Sequence, residues 1–223
     1  MKTQEEIVFK SNGWQTVNRL GLLNENYHTL ILNYNELKNE IIKIQTCAEP
    51  ILLLFNNLNL NRYIFIFLAS TTALIDSCRN TMKFYKETDL YKTYEDDVKK
   101  LFARNNEAIF IKDLRNCMMH YKIIFPCISD NNQVSFEVYQ LNEFKGWTSL
   151  SKEFIQEQGK FVTIIPLIEN YFKRLEPFYM GIYAELTQYH KQDFRETIEL
   201  STKMHVAIPN IYFQMVGCDK NSC

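Results

Sequence analysis

Arg115, Asn116 and His120 fall within one short stretch, Ile111-Lys-Asp-Leu-Arg-Asn-Cys-Met-Met-His-Tyr-Lys122. Its apolar spacing predicts a helix over Glu107–Tyr121. Asn116 and His120 are one turn apart, so a helix carries both on one face, with Arg115 on the neighbouring edge. A guanidinium, an amide and an imidazole together can bind a phosphodiester, orient it and move a proton near neutral pH. These three are the candidate catalytic residues. Lys112 shares the polar stripe, and Lys112 and Lys122 would extend a basic rim around Arg115. Tyr121 has two readings, a packing ring in line with Phe110, Leu114 and Cys117 or a ring that stacks on substrate. Lys112, Tyr121 and Lys122 are thus the candidate substrate-binding set. The structural alternative is that Arg115 and His120 simply bond to backbone or carboxylate. Asp113 is placed to pair with a local Lys or Arg, and Asp76 to pair with Arg79 three residues on.

Other chemistries find little support. His28, His190 and His205 are scattered, and neither His-Glu-x-x-His nor Cys-x-x-Cys occurs, so no metal is expected. Cysteines 47, 78, 117, 127, 218 and 223 form no regular framework and are read as free thiols, with Cys117 a packing residue. The 6 glycines are isolated and make neither a phosphate loop nor a dinucleotide fingerprint. ATP hydrolysis, hydride transfer and a bound cofactor are therefore disfavoured. A net charge of -1 means that any nucleic acid must be held by a local basic patch.

The elements that position these residues are helical. With 46% hydrophobic and 23% charged residues, 6 Gly and 5 Pro, the 223-residue chain is expected to fold as one mostly α-helical domain spanning 1–223. The richness in helix formers predicts a helix over Glu25–Phe55, kinked or split at Pro50. The spacing of Ile64, Phe67, Leu68, Thr71, Ile75, Cys78, Met82 and Tyr85 predicts a second helix after the polar stretch Asn56–Asn61. Lys92–Asn106 reads as a solvated face or connector. Ile123–Leu141 reads as a small β-hairpin, and Phe154–Tyr189 as a long helix kinked or broken at Pro166 and Pro177. The tail after Pro209 is expected to be poorly ordered. The apolar run Tyr63–Ile75 is too short to span a membrane, and Met1–Lys10 lacks a secretory signal, so a cytoplasmic protein without membrane contact is expected.

The segment Phe110-Ile-Lys-Asp-Leu-Arg-Asn-Cys-Met-Met-His-Tyr121 resembles the signature of the HEPN superfamily, an Arg, four to six residues beginning with a polar one, then a His. The helix is followed by a short β segment and preceded by one containing Leu74-Ile-Asp-Ser-Cys-Arg-Asn80, as in a bacterial branch of that superfamily. The resemblance covers roughly residues 60–190. It implies a metal-independent endoribonuclease whose active site is shared between two protomers of a homodimer. His120 would then be the general acid or base for attack of the ribose 2′-hydroxyl on the adjacent phosphate. Arg115 would bind and stabilise the phosphate, and Asn116 would orient helix or substrate. A cyclic phosphate and a 5′-hydroxyl would be the products. The resemblance also implies a toxin or defence role, with an antitoxin or nucleotidyltransferase-like partner, or else a non-catalytic module that binds a nucleotide or partner protein.

Overall fold

The computed structural model describes residues 3–49, 51 and 58–216. In chain order the elements are α1 (Gln4–Phe9), α2 (Asn12–Gln45), α3 (Leu58–Met82), α4 (Asp89–Val98), α5 (Asn106–His120), β1 (Cys127–Ile128), β2 (Val134–Glu137), α6 (Val138–Asn142), α7 (Ser149–Glu157), β3 (Phe161–Thr163), α8 (Ile164–Tyr189), α9 (Lys191–Lys203) and α10 (Ile211–Val216). The protein is mostly α-helical, with a small antiparallel sheet ordered β1-β2-β3 after α5. Among the described residues no helix is long and apolar enough to cross a membrane. Contacts divide the chain into two compact units, Asn26–Phe178 and the described parts of Met1–Glu25 and Tyr179–Cys223.

Within Asn26–Phe178, α2 buries Leu30, Leu37, Ile41 and Ile44 in one stripe. The ring of Tyr34 on α2 stacks on Phe172 of α8 at 4.4 Å, Tyr27 donates to Glu176 at 2.6 Å, and Lys38 pairs with Glu169 at 2.5 Å. Helix α5 packs most extensively against α7 and next against α3. Phe110 lies at its centre, fully buried, 5.3 Å from the ring of Trp147 and 4.8 Å from that of Phe154. The start of α5 is fixed by Asn105, whose side chain accepts from the Ala108 N–H at 2.9 Å. Glu107 in the first turn suits the helix dipole, and its carboxylate holds Arg174 of α8 at 2.6 Å. Gly159, at φ 66°, ends the turn after α7 in the left-handed conformation that glycine adopts without steric cost.

The other unit, described on its own, centres on α9 and α10. Thr3 and Glu6 close a capping box on α1. Tyr212 of α10 is fully buried and stacks on Trp14 at 5.8 Å. Gly13 lies where a Cβ would come within 2.4 Å of Thr197 Oγ1 on α9, so only glycine permits that approach.

Several elements depart from the sequence reading. Helix α2 begins at Asn12, well before Glu25, and ends at Gln45; Pro50 and the expected end near Phe55 lie outside the described residues, as do Asn56 and Asn57, whereas the rest of the expected polar stretch, Leu58–Asn61, opens α3. Of the two readings of Lys92–Asn106 the solvated face holds and the connector does not: Glu95, Asp96, Asp97, Lys99 and Lys100 are exposed on α4 and a π-helical turn at Lys99–Ala103, stapled by Lys92–Asp89 and Lys99–Asp96 pairs. The hairpin gains a third strand, because Phe161–Thr163 pairs with Ser135–Glu137 instead of starting a helix. Val138 begins α6 and does not continue the strand. Helix α8 runs unbroken through Pro177; Pro166 falls in its first turn, where a missing N–H costs nothing. Residues 211–216 of the expected loose tail are helical, and later ones lie outside the described residues.

Candidate functional site

Helix α5 carries Lys112, Arg115, Asn116 and His120, and Tyr121 terminates it. Its buried side is Phe110, Ile111, Asp113, Leu114, Cys117 and Met118, which leaves Arg115 and Asn116 half-buried and Lys112 and His120 exposed. Arg115 Nη1 donates to Asn116 Oδ1 at 3.1 Å. The amide therefore orients the guanidinium directly. Arg115 Nε is buried with no hydrogen-bond partner, and no carboxylate among the described residues pairs with Arg115. Leaving a desolvated N–H unpaired costs about 1–3 kcal/mol.

Arg115 and Asn116 are joined, whereas His120 stands apart. At 3.6 residues per turn, Arg115 and His120 project about 140° apart around the helix, and Asn116 and His120 about 40° apart. Convergence of all three on one phosphate therefore does not occur within a single straight helix. His120, in the last turn, is exposed and makes no hydrogen bond among the described residues.

The remaining predicted residues divide. Lys112 is exposed and unpaired among the described residues. Lys122 Nζ is tied to Glu143 in a close ion pair, so it adds less to a basic rim than expected. Tyr121 leaves the packing stripe because the chain exits the helix there, at φ −127° and ψ −63°. The residue is 73% exposed, its ring tilted against that of Phe144 with the centroids 4.9 Å apart. Cys117 is fully buried, and burial pushes its thiol up, which keeps it protonated and inert as a nucleophile. Cys78 on α3 is pushed up to about 12 by the same cause. Asp76 does pair with Arg79, at 2.8 Å.

Asp113 has a role that its neighbours in sequence do not reveal. The expected pairing with a local cation is absent; one carboxylate oxygen accepts from Thr148 N–H at 3.0 Å, Thr148 Oγ1 at 2.7 Å and Ser151 Oγ at 2.7 Å. Thr148 is the N-cap of α7, so Asp113 clamps the start of α7 to the middle of α5. The visible signal was Thr148-x-x-Ser151, a capping pattern, but nothing local links it to residue 113. The chain matches no family model, no curated protein and no solved structure.

Proposed function

We propose that this chain is a metal-independent endoribonuclease of the HEPN type, cleaving RNA by attack of a ribose 2′-hydroxyl on the adjacent phosphate. The observation that carries the reading is Arg115: a half-buried guanidinium held by Asn116, with an unpaired Nε and no carboxylate partner among the described residues. A phosphate supplies the missing charge and acceptors, and guanidinium pairs well with phosphate oxygens. His120 is solvent-accessible and serves as general acid or base. No step requires a metal or cofactor from the residues invoked. By the same resemblance the protein is a cytoplasmic toxin or defence protein, countered by an antitoxin or nucleotidyltransferase-like partner. Labelled RNA incubated with the purified chain, beside an Arg115→Ala control, tests the reading; cleavage by the first and not the second supports it.

The angular separation of Arg115 and His120 favours a site shared between two copies, the Arg115 of one completing the His120 of the other. Met119, Tyr121, Ile123 and Phe125, at and just beyond the end of α5, are 36–73% exposed and offer apolar surface beside the site. A homodimer is the expected state, seen in light scattering as twice the 26.6 kDa of one chain. A strict monomer across micromolar concentrations contradicts the shared site. The second reading, a non-catalytic module that binds a nucleotide or partner protein, draws on the same Arg115 and is favoured if RNA or nucleotide binds Arg115-dependently without being cut.

A further inference from the structure

A cavity of about 280 Å³ lies within Asn26–Phe178, on the side of α5 that carries Ala108, Ile109 and Lys112. Its apolar lining includes Tyr94, Phe102, Tyr171 and Phe178. Three of these rings pack edge-on, Phe102 lying 5.1 Å from Phe178 and 6.1 Å from Tyr171. Phe102 belongs to the π-helical turn Lys99–Ala103, a distortion that often marks functional positions because the extra residue re-aims side chains. Tyr94 and Tyr171 are buried, and their phenols make no hydrogen bond among the described residues. Burial pushes the Tyr94 phenol up to about 12, so it remains a neutral donor at physiological pH.

The charged lining is Asp76, Arg79 and Lys112, which sums to a net +1. Asp76 is taken up by Arg79 at 2.8 Å, so the unpaired charge is the Lys112 ammonium. A cavity slightly below the range of drug-sized pockets, about 300–1,000 Å³, suits a single fused-ring molecule and not an oligonucleotide. We propose that this cavity is a binding site for a small planar aromatic monoanion, its ring system among Tyr94, Phe102, Tyr171 and Phe178 and its anionic group on Lys112. Arg115, Asn116 and His120 do not line this cavity, Lys112 being the one residue it shares with the candidate RNA-binding set, and the proposal stands whether or not the chain cuts RNA.

The test titrates 2-naphthoate into the full chain by calorimetry, beside its neutral counterpart 2-naphthylmethanol. One 2-naphthoate binds per chain, about fivefold more tightly than the alcohol, as a partly exposed ion pair allows. Lys112→Gln removes that preference while leaving the alcohol's affinity unchanged. Ile75→Trp, at a half-exposed lining position, fills the cavity and abolishes binding of both. Absence of saturable 2-naphthoate binding at millimolar concentration overturns the proposal, as does equal affinity for the two probes or a preference that survives Lys112→Gln. If Ile75→Trp does not fold, the exposed Lys112→Gln variant decides alone.

Discussion

His120→Ala lowers the rate of RNA cleavage by about 10²- to 10⁴-fold, the usual loss when a general acid or base is removed. The fold is expected to be unaffected. His120 is exposed in the last turn of α5 and has no hydrogen bond among the described residues, so its removal changes stability by no more than about 0.5 kcal/mol. Single-turnover kinetics and circular dichroism on the same preparation separate the two effects. Cleavage that continues at the original rate in the His120 variant removes the imidazole from the mechanism. Loss of helicity in that variant would instead mean that His120 supports the fold.

Asp113→Ala acts in the opposite sense, on stability first. Asp113 is buried and one of its oxygens accepts three hydrogen bonds, two from Thr148 and one from the fully buried Ser151. Truncation strands those donors away from water and frees the start of α7. The expected cost is about 3 kcal/mol, read as a lower midpoint in urea with an unchanged slope. Asp113→Asn keeps an acceptor oxygen and is expected to lose less. A loss below about 1 kcal/mol for the alanine variant would mean that water replaces the carboxylate and that the clamp contributes little.

The sequence was most legible where local signals agreed. Helix α5 was expected at Glu107–Tyr121 and spans Asn106–His120, because Asn105 caps it, a 3.6-residue period runs through it, and neither Gly nor Pro interrupts it. The buried stripe of α3 was also readable, although Leu74 is buried where Ile75 was expected, and Ile75 lines the cavity instead. The start of α2 was hidden because Gly13 and Gly21 weaken the local helical signal, yet Val17, Leu20 and Leu23 are buried there at three-residue spacing. Helix α9 is not legible in the sequence, because Thr197 and Ser201 form half of its buried face alongside Phe194 and Ile198, which blurs the apolar period.

Long-range features were not legible for a different reason. Phe161 and Ile164 are three residues apart and pass for one helical face, and only pairing with β2 shows that Phe161–Thr163 is a strand. The partners of Asp113 lie 35 and 38 residues away, and the cavity is assembled from α3, α4, α5 and α8, so neither could be read from spacing. At the candidate site, the residue types and the Asn116–His120 spacing were readable. The link between Arg115 and Asn116, the unpaired Nε and the capture of Lys122 by Glu143 depend on side-chain placement that residue spacing does not convey.

The most direct test of the central claim is to incubate end-labelled RNA with the wild-type chain in excess EDTA and to analyse the ends of the products. The account predicts cleavage at a rate unchanged by chelation, with 2′,3′-cyclic phosphate and 5′-hydroxyl ends, because His120 and Arg115 supply proton transfer and charge stabilisation themselves. Intact RNA, activity lost on chelation, or products ending in 5′-phosphate would contradict it.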